Sequence, residues 1–128
     1  MSTIKAEIEH YMTEVTKGGR ALTSRFAFSE DFIGFQGHFP EKKILPGVCQ
    51  IQCALSTFEK GNGAAVALKE VLLAKYFSPV FPGEEVLCSV SHAENGAEGI
   101  ILKAAFTKGA SRVAELKLRV SLSDRENR

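Results

Sequence analysis

One stretch of this chain is built differently from the rest. From Val48 to Lys60 no helix breaker interrupts the sequence, Pro46-Gly47 stands at its start as in a first helical turn, and Gly61-Asn62-Gly63 closes it. At about 100° per residue, Val48, Ile51, Ala54, Leu55 and Phe58 fall on one apolar stripe. Most of the remaining chain reads as strand. A lone helix with such a stripe must bury it, and the sheet is the large surface on offer. The expected architecture is therefore α+β, a curled antiparallel sheet wrapped around a central helix.

The strands follow from period and punctuation. Arg20 to Phe28 alternates Leu22, Ser24, Phe26 and Phe28 against Ala21, Thr23, Arg25 and Ala27, the pattern of a half-buried strand. Ala65 to Phe77 is long, rich in Val and Leu, and stops at Ser78-Pro79. Turns at Pro82-Gly83, Asn95-Gly96 and Lys108-Gly109 then separate strands at Glu84 to His92, Ile100 to Thr107 and Arg112 to Leu122. Residues 3 to 16 place Ile4, Ile8, Tyr11, Met12 and Val15 at steps of three and four, which predicts an amphipathic helix broken by Lys17-Gly18-Gly19. Phe32, Ile33, Phe35 and Phe39 crowd a loop that must pack onto something. A sheet of this kind leaves an edge strand open, and pairing with a second copy satisfies it.

Length and charge remove several classes of function. With 128 residues, 45% hydrophobic and 24% charged, residues 1–128 are expected to form a single domain with a core of its own. A formal net charge of +1 with interspersed signs gives no electrostatic reason for a nucleic-acid or membrane partner. No apolar run approaches the roughly 20 residues of a membrane span, and the start of the chain, with Lys5, Glu7 and Glu9, lacks the apolar centre of a secretion signal; the expected location is the cytoplasm. Cys49, Cys53 and Cys88 fit a reducing compartment. The first two are four apart on the helix, yet no second His or Cys cluster completes a metal site, so buried thiols are expected.

The loop before the helix carries the candidate chemistry. Gly37-His38-Phe39-Pro40, five residues, then Pro46-Gly47-Val48 forms one motif. Ala74-Lys75-Tyr76-Phe77-Ser78-Pro79-Val80-Phe81-Pro82-Gly83-Glu84-Glu85 forms a second. Together they resemble the signature of the hot-dog 3-hydroxyacyl-(acyl carrier protein) dehydratases of the FabZ and FabA type, in register over roughly Phe26 to Leu122. The run Ile44 to Gln50 is most similar to the ApeI-like subgroup.

The resemblance implies a hot-dog fold and loss of water from a 3-hydroxyacyl thioester on acyl carrier protein, giving a trans-2-enoyl thioester in fatty-acid or polyketide-like synthesis. It implies no metal or organic cofactor. His38 would take the proton from C2, work suited to an imidazole with an ordinary pKa near about 6.5. The Gly47 backbone N–H, at the helix start, would hold the thioester carbonyl, with Val48 and Phe39 also against the substrate. In the family a Glu or Asp from the partner subunit completes the site, so the active unit is a homodimer, a higher even oligomer, or a heterodimer with a related hot-dog subunit.

Here the sequence departs from the pattern. The acid's place, fourteen residues after the histidine, is taken by Gln52, which can donate a hydrogen bond but releases no proton at neutral pH. Gln52 lies about 40° from Val48 and about 60° from Leu55, on the stripe expected to line the acyl tunnel, whereas Gln50 points to the opposite side. Lys43 replaces a family proline. Lys42, Lys43 and Lys75 are candidates for a carrier protein's acidic surface, and His10 and His92 are expected at the surface. Two readings stay open: a dehydratase in which His38 acts with Gln52 orienting the leaving hydroxyl, and a non-catalytic or half-catalytic subunit that binds acyl thioesters or pairs with another hot-dog protein. A thioesterase is a weaker third, for which Glu59 is the remote carboxylate.

Overall fold

The computed structural model describes residues 3–35, 43–94 and 99–122. In chain order these form α1 (Thr3–His10), β1 (Thr16–Gly18), β2 (Ala21–Ala27), a 3-10 turn at Ile33–Phe35, α2 (Gly47–Asn62), β3 (Val66–Tyr76), β4 (Glu85–Glu94), β5 (Ile100–Lys108) and β6 (Ser111–Leu122). The strands make one antiparallel sheet in the order β1-β2-β4-β5-β6-β3. The five strands anticipated from sequence are all present, and α2 lies against β2, β4 and β3.

The alternation in β2 has the expected sense. Leu22, Ser24 and Phe26 are buried, as is Phe28 just beyond the strand. Opposite them, Val86, Cys88 and Val90 of β4 and Leu102, Ala104 and Phe106 of β5 continue the inner face. The buried hydroxyls are paired. The Thr57 hydroxyl donates to the Cys53 carbonyl at 2.8 Å, which leaves the Ser24 hydroxyl as donor in the 2.7 Å Ser24–Thr57 contact. Helix α2 stops where expected: Gly63 adopts φ 73°, and its N–H returns to the Glu59 carbonyl at 2.9 Å. Near the same end a side chain at Gly61 would run into Leu22, at 2.7 Å from a built Cβ, so a glycine lets helix and strand close together.

Two expectations are corrected. The first helix ends at His10 rather than reaching residue 16. Met12 forms an isolated bridge with Phe26, the Thr13 N–H donates to the Arg25 carbonyl at 2.9 Å, and the Arg25 N–H returns to Thr13 Oγ1 at 2.9 Å. Thr16–Gly18 then pairs with Ala21–Thr23 around Gly19 at φ 60°. Thr13, Val15 and Thr16 are β-branched and favour extended backbone, and the open side of β2 supplies the hydrogen bonds a helix would have made internally. Tyr11, Met12 and Val15 still pack on the core, but from an extended segment.

The second correction concerns the roll of α2. Ala54, Leu55 and Phe58 are buried as the stripe predicts, but Val48 is 73% exposed and Gln50 only 3%. At its first turn the helix turns Cys49, Gln50 and Cys53 inward. Gly34 presses against Cys49, a built Cβ lying 3.0 Å from its Sγ, so the aromatic loop carrying buried Phe32 and Phe35 covers that side. The Asn95-Gly96 turn lies outside the described residues.

Candidate functional site

The chain enters α2 through Leu45 and Pro46, and this entry is held by the second motif. The Leu45 N–H donates to the Val80 carbonyl at 2.9 Å, and the Gly83 N–H, at a residue with φ 85°, donates to the Phe28 carbonyl at 2.8 Å. Glu84 accepts from Lys108 Nζ and from the Phe81 N–H, each at 2.9 Å, and Lys108 Nζ also donates to the Pro79 carbonyl at 2.6 Å. The Lys108 hydrogen bond, aided by the Phe81 N–H, holds the Glu84 carboxyl below the usual carboxylate range. Motif and motif therefore meet as one braced unit.

Pro46 precedes the helix in extended geometry, φ −65° and ψ 152°, and offers no side-chain cap. Its carbonyl accepts from the Cys49 and Gln50 N–H groups at 3.0 and 3.3 Å. The N–H groups of Gly47 and Val48 come before the first intrahelical bonds, at the positive end of the helix dipole. Glycine at 47 lets the Tyr76 phenol close on the helix start, because a Cβ there would lie 2.7 Å from the phenol oxygen and push the ring aside. Beside this helix start is a cavity of about 240 Å³, walled by Ile44, Leu45, Phe77 and Pro79 and reached by Gly47, Gln50 and Tyr76. Partial burial raises the pKa of the Tyr76 phenol, which is a donor at neutral pH in either case. Gln50 Oε1 is the one buried side-chain polar atom without a hydrogen-bond partner among the described residues.

On the other side of the helix the polar groups are spoken for. Gln52 Nε2 donates to Ser56 Oγ at 2.9 Å, and the buried Ser56 hydroxyl donates to Glu9 Oε2 at 2.8 Å. Lys5 and Lys60 approach the same carboxylate at 3.5 and 3.7 Å. A hydroxyl has one proton. Because Ser56 gives its proton to Glu9, its lone pair must take the Gln52 N–H, and this fixes the amide with Nε2 toward α1 and Oε1 away from it.

A family model described as ApeI-like, ApeI dehydratase, matches residues 14–117. The chain belongs to the ApeI-like dehydratase family. A 3-hydroxyacyl-(acyl-carrier-protein) dehydratase FabZ from Ehrlichia chaffeensis is 35% identical over 69 residues, 50% of this chain but only 47% of that protein. FabZ from Clostridium novyi is 26% identical over 112 residues, covering 82% of this chain and 78% of that one. Among solved structures, a chain of the dehydratase heterocomplex ApeI:P from Xenorhabdus doucetiae superposes with a TM-score of 0.73 at 16% identity, covering 86% of this chain and 96% of its own. The curled sheet around α2 is thus the hot-dog fold.

In this ApeI-like chain the site residues named from sequence are distributed unevenly. His38 and Phe39, with Lys42, lie outside the described residues. Gly47 and Val48 open α2, and Gln52 sits one turn on, partly buried and bonded to Ser56 rather than to backbone. Gln50 and Tyr76 were not singled out. The stripe argument sent Gln50 outward because it assumed that the face opposite Val48 is solvent; in the fold the second motif and the aromatic loop cover that face. Tyr76 was legible as part of the second motif, but its approach to Gly47 depends on a pairing of distant segments. The three cysteines are buried thiols, with burial pushing Cys49 to about 11, Cys88 to about 12 and Cys53 well above its ordinary value. Among the described residues no cluster of His, Cys, Asp and Glu is placed to hold a metal, and no helix is long and apolar enough to cross a membrane.

Proposed function

We propose that this chain dehydrates a 3-hydroxyacyl thioester carried on acyl carrier protein. The observation that carries the reading is the junction of the two motifs at the start of α2, a helix start without a side-chain cap whose Gly47 lines a cavity together with Tyr76. The thioester carbonyl accepts from the Gly47 N–H, and the helix end stabilises charge developing on that oxygen as C2 loses its proton. His38 takes the C2 proton; the electron pair forms the C2–C3 double bond, the C3–O bond breaks, and the hydroxyl leaves as water with the proton that the imidazole returns directly or through water. Val48 and Phe39 contact the acyl group. Gln52 orients the leaving hydroxyl through its remaining N–H but supplies no proton.

The catalytic unit in this reading is a pair of hot-dog subunits. Edge strand β3 supports it, since Leu68, Val71, Leu72 and Leu73 along it are exposed and its outer hydrogen-bonding side has no neighbour among the described residues. The test is enoyl-thioester formation by purified protein from a 3-hydroxyacyl carrier-protein thioester. Turnover well above that of His38→Ala is expected; equal rates would refute the reading.

A second reading is favoured by Gln52 itself. With an amide in the acid's place, the chain contributes one half of a composite site whose carboxylate comes from a different hot-dog subunit. The structural neighbour solved within the dehydratase heterocomplex ApeI:P supports this reading of the chain as one member of a mixed pair. Turnover appearing only on addition of an acid-bearing hot-dog partner would select this reading over the first.

A further inference from the structure

We infer that the cavity between Gln50 and Tyr76 binds a secondary amide of the thioester's carrier arm; this rests on the acyl-thioester reading above. The argument starts from an unmet acceptor. Gln50 is 3% exposed, lines the cavity, and its Oε1 has no partner among the described residues. A buried carbonyl oxygen left unpaired is costly in a folded protein, so a native chain retains one where something fills the deficit.

The partner must bring a donor into an open, largely apolar depression. The walls are Ile44, Leu45, Phe77 and Pro79, with the Ser78 hydroxyl turned to the Arg112 carbonyl, and the volume of about 240 Å³ is room for a short segment of a linear arm. Beside it Tyr76 offers the complementary group, a phenol protonated at neutral pH, with its oxygen over Gly47. A free acceptor and a donor in apolar walls match the N–H and C=O of one secondary amide. Gln50 Oε1 takes the amide N–H, and the Tyr76 hydroxyl donates to the amide carbonyl. A charged ligand finds no counter-ion among these lining residues.

Position in the helix gives the orientation. Gly47, whose N–H would hold the thioester carbonyl, lies one turn before Gln50, while Gln52 and Val48 lie on the opposite side. A thioester held at the helix start therefore has two ends leaving on two faces. The arm passes Gln50 and Tyr76, and the acyl chain passes Val48 and Gln52. The arm amide is shared by coenzyme A and carrier-protein thioesters, so the chemistry identifies the arm and not its bearer.

The test uses saturated acyl thioesters, which cannot lose water, so that binding is read apart from catalysis. The dissociation constant of an N-acetylcysteamine thioester, which keeps one secondary amide, is compared by NMR titration with that of a propyl thioester of the same acyl group. Wild type is expected to prefer the amide-bearing ester by about tenfold or more, and Gln50→Met and Tyr76→Phe are each expected to bring the ratio toward one. Tyr76→Phe, at a half-exposed ring, keeps the test valid should Gln50→Met fold poorly. A wild-type ratio near one, or no binding of either ester, overturns the inference. With the same acyl group on coenzyme A and on carrier protein, weaker binding of both by Gln50→Met supports the arm site, and the tighter ester names the bearer. Weakening of the carrier-protein ester alone overturns it, since Gln50 would then report a protein contact. Hydroxyl loss is read separately: selectivity without turnover would sink the dehydratase reading and leave this one standing, and turnover without selectivity would do the reverse.

Discussion

Gln50 and Gln52 stand two residues apart on one helix and live in opposite circumstances. Gln52 is partly buried and locked by Ser56 and Glu9 into a chain of hydrogen bonds. Gln50 is almost wholly buried and its carbonyl oxygen is unpaired among the described residues. A polar side chain that is satisfied within its own subunit contributes to stability, whereas one buried and unmet costs stability and leaves an acceptor for a further partner. The glutamine that the proposed function puts in the acid's place is thus the more structural of the two, and the one that sequence reasoning set aside is the better candidate for a binding contact.

The largest effect expected is at His38, the base that both sides of the helix would serve. His38→Ala should lower enoyl-thioester formation by about 10² to 10⁴ in kcat, measured on a 3-hydroxyacyl carrier-protein thioester. A smaller change with the opposite sign is expected at Gln52. Gln52→Glu should raise kcat at least about tenfold by supplying a proton donor. The new carboxyl would share Ser56 with Glu9, and a neighbouring carboxylate raises a carboxylic acid's pKa, which keeps it protonated further toward neutral pH. The variant's kcat should fall on the alkaline side of that new pKa, a limb absent from wild type; an unchanged profile would show that Gln52 does not stand in for an acid.

Stability separates the glutamines directly. Ser56→Ala removes the acceptor of Gln52 Nε2 and a donor to Glu9 from a buried site, and should cost about 1–3 kcal/mol in urea unfolding. Gln50→Met should be neutral within about 0.5 kcal/mol or slightly stabilising, because it replaces an unpaired amide with an apolar chain of similar length. A loss at Gln50 as large as that at Ser56 would break the contrast.

The smallest effect concerns the brace under the site. Lys108 lowers the Glu84 carboxyl's pKa, so this pair contributes stability that is complete above the unfolded carboxylate range and is lost as pH falls through the folded value. The pair is partly exposed and screened. Glu84→Gln should therefore cost under about 1 kcal/mol at neutral pH, and its difference from wild type should disappear in acid. A deficit that persists below the carboxylate range would assign the effect to the Phe81 N–H contact instead.

The sequence made most of the fold legible because strand period and turn residues are local signals. The inner residues of β2 and the αL glycine after α2 could be read without knowing what they touch. The first helix was overextended because its three-and-four spacing also suits residues that reach the core from an extended segment, and only the open side of β2 decides between them. The candidate site was only partly legible. Motif spacing singled out Gly47 and Gln52 as candidates, but the roll of α2, which hides Gln50 and exposes Val48, is set by the aromatic loop and the second motif packing on it. Glu9 could not be found from spacing, since 47 residues separate it from the serine it holds.

The central claim is a site whose base half is intact and whose acid half is altered, and isotope exchange tests it at the reacting carbon. In D₂O, deuterium entry at C2 of a 3-hydroxyacyl carrier-protein thioester reports proton abstraction, while enoyl formation reports departure of the hydroxyl. We predict that wild type exchanges at C2 faster than it forms enoyl product, that His38→Ala abolishes both, and that Gln52→Glu brings the two rates together. Exchange no faster than in His38→Ala, or enoyl formation in wild type already as fast as exchange, would contradict the account.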